Sequence, residues 1–193
     1  MYSPSNCDPT YCRPAYSDEC LLEETLRLRD AFQIVTFFET GSYYGLSTRI
    51  LAEHFEKVYS CEANRDYWKI AKQNNQNKKN VVLKLQNSSE FLRANVKEGQ
   101  QHVGFFLDAH CDGKWPLLQE LEVIAEKKIQ PVIMIHDFFS NKPHLLSNAA
   151  KKITMQYVSN AIESIYGLKF SFSQIDMSKF SSTGIFHTKA IKK

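Results

Sequence analysis

The sequence predicts an α/β fold: a doubly wound, mostly parallel sheet, closed at one end by an antiparallel hairpin. Short apolar runs rich in Val, Ile, Phe and Tyr recur between Gln33 and His136. Stretches with helical spacing and helix-ending residues separate them. The last two strand-like runs have no helix between them. Repeated strand–helix units force parallel pairing with helices on both faces, whereas adjacent strands joined by a short loop pair antiparallel.

Each element follows from local chemistry. Pro4, Pro9 and Pro14 forbid regular structure in the first sixteen residues, although Tyr2, Tyr11 and Tyr16 give this arm apolar surface with which to fold back. Ser17 suits a helix N-cap, with Asp18 and Glu19 in the first turn and an apolar stripe to about Arg29. Gln33–Glu39 reads as a strand buried on both faces. Helix 47–55, strand Lys57–Glu62, helix Arg65–Asn74, strand Asn80–Leu85 and helix Ser88–Ala94 follow. Then come strand His102–Asp108, helix Pro116–Lys127 with proline in its first turn, and strand Pro131–His136. A long helix over Leu145–Tyr166 ends at Gly167, and strands Lys169–Asp176 and Gly184–Lys189 close the chain.

The 193 residues are expected to form one domain, with an arm and helix over 1–30 and the core over 31–193. A net charge of +3 with 43% hydrophobic residues excludes a disordered tail and a dedicated nucleic-acid wrapper. No apolar run approaches the ~20 residues of a membrane span, and the amino terminus lacks a secretory core, so a cytoplasmic protein is expected. Five cysteines, Cys7, Cys12, Cys20, Cys61 and Cys111, read as reduced thiols.

In such a sheet ligands bind beyond the carboxyl ends of the strands. After the first strand comes Glu39-Thr-Gly41-Ser-Tyr-Tyr-Gly45-Leu-Ser47. Gly41 lets the backbone turn, and Gly45 lets a ligand approach the helix start. The spacing departs from the dinucleotide GxGxxG pattern, and Glu39 would repel a pyrophosphate, so the loop suits a cationic or zwitterionic ligand. Glu62 ends the second strand twenty-one residues past Gly41, where a carboxylate can accept both hydroxyl hydrogens of a ribose. Tyr43 and Tyr44 lie inside the loop, and at least one is expected to face the ligand.

The segments FFETGSYYGLST, VYSCE and FFLDAH resemble class I S-adenosylmethionine-dependent methyltransferases over about Gln33 to Lys189. The resemblance implies a Rossmann-like sheet of seven strands, one of them antiparallel. It implies that Glu39 and Gly41 hold the methionine moiety, with Gly45 and Ser47 nearby, and that Glu62 binds the ribose. Asn87 stands where the family often places an adenine-reading Asp. Ser42, Tyr43, Ser88 and Asp108 complete the expected cofactor shell.

The fourth and fifth strands end in Asp108-Ala-His110 and His136-Asp137-Phe138-Phe139, two acid–imidazole clusters on the ligand side. Histidine exchanges protons near neutral pH, and carboxylates orient it or bind a divalent ion. This arrangement is similar to metal-dependent O-methyltransferases of the macrocin type, which methylate sugar hydroxyls. That likeness implies Mg2+ or Mn2+ on Asp108, His136 and Asp137, although His136 replaces an acid. The expected reaction is methyl transfer to a hydroxyl of a small acceptor, a sugar or glycan ahead of a phenol. His110, or else Asp108, would take the hydroxyl proton. Trp115, Phe138, Phe139 and the arm tyrosines could wall the acceptor pocket.

The competing readings are an RNA 2′-O-methyltransferase, a nicotinamide-binding oxidoreductase and a non-catalytic cofactor-binding module. The lysines look scattered along the chain, so nucleic acid is not the expected partner. A neighbouring glycosyltransferase domain is, with homo-oligomerisation left open.

Overall fold

The computed structural model describes residues 14–110, 115–142, 152–177 and 181–188. A short 3-10 turn at Ala15–Ser17 leads into α1 (Glu19–Phe32), β1 (Thr36–Thr40), α2 (Leu46–Leu51) and β2 (Lys57–Glu62). These are followed by α3 (Arg65–Asn74), β3 (Val81–Leu85), α4 (Ser88–Asn95) and β4 (Val103–Leu107). The chain continues through α5 (Leu117–Glu126), β5 (Val132–Ile135), α6 (Met155–Tyr166), β6 (Phe170–Asp176) and β7 (Ser182–Thr188).

All seven strands form one sheet in the order β3-β2-β1-β4-β5-β7-β6. Pairings among β1 to β5 are parallel, and β7 is antiparallel to both its neighbours, as the closing hairpin predicts. The order reverses between β1 and β4, which opens a crevice at their carboxyl ends.

Alternation along the strands divides the core between the two sheet faces. Phe37, Phe106 and Met134 point toward Leu21 and Leu28 of α1 and Leu51 of α2. Phe38, Phe105 and Ile133 point toward Phe91 of α4, Leu121 of α5 and Ile162 of α6. Phe38 stacks on its register partners Tyr59 and Phe105, with ring centroids 4.9 and 5.2 Å away. Phe38 and Phe105, both fully buried, contribute roughly 1.5–3 kcal/mol each, so the first strand is held rigidly where its tip carries the site.

Several boundaries differ from expectation. Asp18, not Ser17, caps α1, its carboxylate accepting from Leu21 N at 3.3 Å. That helix runs on to Phe32, and Gln33 terminates it in a left-handed conformation (φ 52°), so the strand begins at Thr36 rather than Gln33. Helix α2 stops at Leu51, short of 55. Thr154 caps α6, accepting from Tyr157 N at 3.2 Å, so no helix runs through 152–154; the earlier part of the expected long helix, 145–151, lies outside the described residues. Strand β7 starts at Ser182, two residues before Gly184.

The arm folds back at Tyr16. Its ring meets Phe106 edge-on at 4.9 Å, and its hydroxyl lies 3.9 Å from the Met134 sulfur. Tyr2, Tyr11, Cys7, Cys12 and Cys111 lie outside the described residues. Cys20 and Cys61 are free thiols.

Candidate functional site

The loop after β1 is pinned to the neighbouring strand. Gly41 N and Ser42 N both donate to Cys61 O, at 3.1 and 2.9 Å. Gly41 has φ 80°, and a Cβ there would sit 2.7 Å from Asp108 O, so the glycine lets the loops after β1 and β4 touch. Tyr43 is also left-handed (φ 49°), which directs its N–H onto Glu62 Oε2 at 2.9 Å. Glu62 Oε1 accepts from Asn64 N at 2.8 Å. Both oxygens of Glu62 are thereby oriented while keeping lone pairs for further donors.

Beside this loop lies an open cleft of about 80 Å³, lined by Glu39, Gly41, Ser42, Tyr43, Tyr44, Leu46, Ser47 and Asp108, with Pro14 and Ala15 of the arm at its edge. Six of these eight, all but Tyr44 and Leu46, belong to the expected cofactor shell. Glu39 is 1% exposed, and its Oε2 accepts from Ser60 Oγ at 2.6 Å and from Thr48 Oγ1. Burial pushes its carboxyl up to about 7 against those two hydrogen bonds, aided by Asp108 and Glu62 nearby. Ser42 Oγ is buried in the cleft wall without a hydrogen-bond partner. An unsatisfied hydroxyl and a half-charged carboxyl facing one cavity fit a ligand that brings donors and positive charge.

The other expected cofactor residues are placed differently. Gly45 (φ 71°) turns away from the cleft: a Cβ there would lie 2.9 Å from Ala71 Cα and 2.5 Å from Asn75 Nδ2, so it serves close packing of α2 on α3. Asn87 is the N-cap of α4, its Oδ1 accepting from Glu90 N at 2.9 Å, which leaves chiefly its amide N–H2 for adenine. Ser88 is buried, its Oγ beside Glu120 without an aligned hydrogen bond.

At the tips of β4 and β5 the acid–imidazole residues come together. His136 Nδ1 lies 2.9 Å from Asp108 Oδ1, an ion-pair contact rather than an aligned hydrogen bond, and 3.8 Å from Asp137 Oδ1. Its Nε2 is 3.0 Å from Ser181 Oγ, which in turn donates to Ser182 O at 3.3 Å. Burial opposes the imidazolium, yet the Asp108 charge and contact, helped by Asp137, outweigh it and raise His136 to about 9. His136 is therefore a cation at neutral pH, with Nε2–H donating to Ser181. His110 is half exposed, its Nε2 3.8 Å from Asp108 Oδ1 and 3.7 Å from Asp137 Oδ2. It is the imidazole of the pair that an acceptor can reach.

This geometry does not support the expected metal site. His136 spends both ring nitrogens on Asp108 and Ser181, so Asp108, His136 and Asp137 face one another rather than a shared vacancy. Among the described residues no group of three His, Cys, Asp or Glu side chains is placed to hold a metal ion. Phe138 also departs from expectation: it is 3% exposed and packs on Phe172 and Phe186, a core residue rather than a pocket wall. Trp115 does border His110, with ring centroids 6.1 Å apart.

Two residues of this region escape a reading by motif. Ser181 sits outside any recognisable pattern. Glu120, 1% exposed, is driven up to about 7 by burial, against contacts with Ser88 and Thr40. Its position was legible in principle, because Leu117, Glu120, Leu121 and Ile124 share the buried stripe of α5.

Solved structures that share this fold include several assigned as methyltransferases. No family model matches the chain, and no curated sequence does. A protein assigned as an rRNA methylase in Clostridium thermocellum superposes with a TM-score of 0.61 at 12% identity, covering 87% of this chain and 97% of its own. One assigned as a methyltransferase in Streptococcus mutans, in complex with S-adenosylhomocysteine, gives 0.59 at 16% identity, with coverage of 87% and 97%. One assigned as a caffeoyl-CoA O-methyltransferase in Staphylococcus aureus gives 0.62 at 17% identity, with coverage of 87% and 83%. No helix among the described residues is long and apolar enough to cross a membrane.

Proposed function

We propose that this protein is an S-adenosylmethionine-dependent O-methyltransferase acting on a sugar hydroxyl. The observation that carries the reading is the cleft at the β1 tip, where buried Glu39 and the orphaned Ser42 hydroxyl face a cavity beside an oriented Glu62. A sulfonium cofactor carries positive charge and no phosphate, which suits that wall. A nicotinamide dinucleotide would bring its pyrophosphate against Glu39, so the oxidoreductase reading is disfavoured.

Glu39 and Ser42 would receive the ammonium-bearing tail, and Glu62 the ribose hydroxyls. Once bound, the cofactor supplies an activated methyl group. The chain's own part is to position the acceptor and take its proton. His110 does the latter: its ring lies between Asp108 and Asp137, which stabilise the imidazolium as it forms. His136 neutralises the carboxylate pair from behind and keeps Asp108 fixed. No step requires a metal ion. Trp115 offers a face for a sugar ring.

Calorimetric titration with S-adenosylhomocysteine tests the cofactor clause; micromolar affinity is expected, and its absence refutes the reading. Transfer of labelled methyl from the donor to a panel of sugars and phenols then tests the acceptor, with transfer to phenols alone refuting the sugar assignment.

A further inference from the structure

A second hollow, of about 250 Å³, borders α2 and shares no lining residue with the cleft. Arg49 of α2 forms one wall. Gln73 and Asn74 of the last turn of α3 form another, with Gln76, Asn77 and Lys78 of the turn that follows. Four carboxamides and two cations thus line the space, and no carboxylate or apolar side chain does.

Neighbouring amides hold this hollow in shape and leave its own lining available. Buried Asn75 donates from Nδ2 to Gly45 O at 2.8 Å and to Ala71 O at 2.9 Å. Asn80 donates from Nδ2 to Ala52 O at 2.8 Å and to Phe55 O at 2.9 Å. Both ends of the turn are thereby bolted to α2 and its flanks. Asn74 spends an amide N–H on Tyr44 O at 2.8 Å, which leaves its Oδ1 as an acceptor. Gln73, Gln76 and Asn77 are exposed and make no side-chain hydrogen bond among the described residues. Arg49 is exposed too and makes no ion pair there. Lys78 meets Glu53 at 3.1 Å, and the Glu53 carboxyl is held below its ordinary value by that contact, with smaller help from His54 and Arg49. One acid against two cations leaves the surroundings net positive.

The chemistry of these walls selects a ligand class. A carboxamide both donates and accepts, as a sugar hydroxyl does, so four of them suit a ring of hydroxyls. Arg49 offers a planar fork that fits a carboxylate or phosphate through two bonds, and Lys78 adds a second positive charge. Helix α3 ends here with the negative pole of its dipole, so attraction for an anion must come from those two side chains and not from the backbone. A phenol, a nucleobase or an acyl chain has no apolar wall to pack against. The volume falls below the ~300–1,000 Å³ of sites for drug-sized molecules and suits one small polar unit.

We propose that this hollow binds an anionic sugar, a monosaccharide unit carrying a phosphate or carboxylate group. The anion would lie on Arg49 and Lys78, and the hydroxyls on Gln73, Asn74, Gln76 and Asn77. The site stands independently of the methyl-transfer reading, since the two hollows have no lining residue in common.

The test is proton–nitrogen correlation NMR of the full chain, titrated with glucose 6-phosphate, glucuronate, glucose and inorganic phosphate. Shifts at the backbone amides of 73–78 and Arg49 are expected with both charged sugars, at a Kd of about 0.1–1 mM for an open site and ligands of this size. Glucose and inorganic phosphate should each bind at least fivefold more weakly. R49Q should weaken both charged sugars at least tenfold, and its thermal midpoint should stay within about 2 °C of the parent's, because the side chain it alters supports no other contact. N77A should weaken them about threefold. K128Q, on the segment before β5, should change nothing. A glucuronate-containing disaccharide that binds more tightly than glucuronate supports the proposal with a unit of a glycan as the source; weaker binding of the disaccharide supports it with a free sugar acid or sugar phosphate. Absence of shifts at 73–78 with either charged sugar, or undiminished binding by R49Q, overturns the proposal. Equal binding of inorganic phosphate and glucose 6-phosphate overturns the assignment to a sugar. Failure of the S-adenosylhomocysteine titration would refute the methyl-donor reading and leave these outcomes untouched.

Discussion

If the cleft takes a ligand whose ammonium group meets Glu39, its affinity depends on pH in a way set by that one carboxyl. In the free protein burial holds Glu39 at about 7. At pH 6 it is protonated in about ten molecules of eleven, and at pH 8 it is mostly ionised. A bound ammonium stabilises the carboxylate and draws its pKa back toward the ordinary 4.5, so binding expels the proton wherever Glu39 was protonated. Affinity for S-adenosylhomocysteine is therefore expected to rise about tenfold between pH 6 and pH 8 and to level off above. Calorimetry at pH 6 in two buffers of different ionisation enthalpy should report release of about one proton per ligand. E39Q should bind roughly ten- to a hundredfold more weakly at pH 8, because a charged hydrogen bond is worth about 1.5–3 kcal/mol, and should lose the pH slope. E120Q provides the control, since Glu120 is raised to the same range but does not line the cleft. Equal affinity at pH 6 and 8, or a slope that survives E39Q and vanishes in E120Q, would refute the assignment of Glu39 to the ligand.

The same carboxyls shape stability. Glu39 and Glu120 both have folded values above the unfolded 4.5, so the folded state binds more protons and stability falls as pH rises from about 4.5 to 7. In the free protein E39Q should remove roughly 2.5 kcal/mol of the fall between pH 5 and 8, measured by urea unfolding, while Glu120 and His136, the latter raised to about 9, contribute the rest. G41A should destabilise by about 2–4 kcal/mol, combining a left-handed alanine with a 2.7 Å approach to Asp108 O, and should abolish product binding. H110A should retain cofactor affinity within about threefold and lose methyl transfer by roughly a hundredfold or more. Activity should persist after exhaustive treatment with a chelator; its loss, with recovery on adding Mg2+ or Mn2+, would overturn the metal-free arrangement at Asp108, His136 and Asp137.

The fold was legible wherever a run of residues carried one period. Lys57–Glu62 and Arg65–Asn74 coincide with β2 and α3 because alternation and a 3.6-residue stripe point to one answer there. The run Gln33–Glu39 misled because its apolar character spans a helix cap, a connection and a strand alike. Backbone handedness at Gln33 decides the boundary, and residue type alone does not specify it. The loop residues of the cleft were legible through Glu39 and Gly41, whose chemistry is local. Gly45 was not, because the reason for its missing side chain lies thirty residues away on α3. The same holds for His136: sequence shows a potential ligand, while its partners, Asp108 and Ser181, come from just after β4 and just before β7.

Salt separates a buried anchor from an exposed one. Glu39 is buried in the wall of the cleft, where screening by ions is weak, whereas exposed charges more than ~10 Å apart are screened at 0.1 M salt. A ligand tail held by Glu39 must then respond little to ionic strength. Raising salt from 50 to 500 mM should shift product affinity by less than about threefold. A steep loss would mean that the tail is held by exposed charge, and a buried carboxyl at the β1 tip could not then be its anchor.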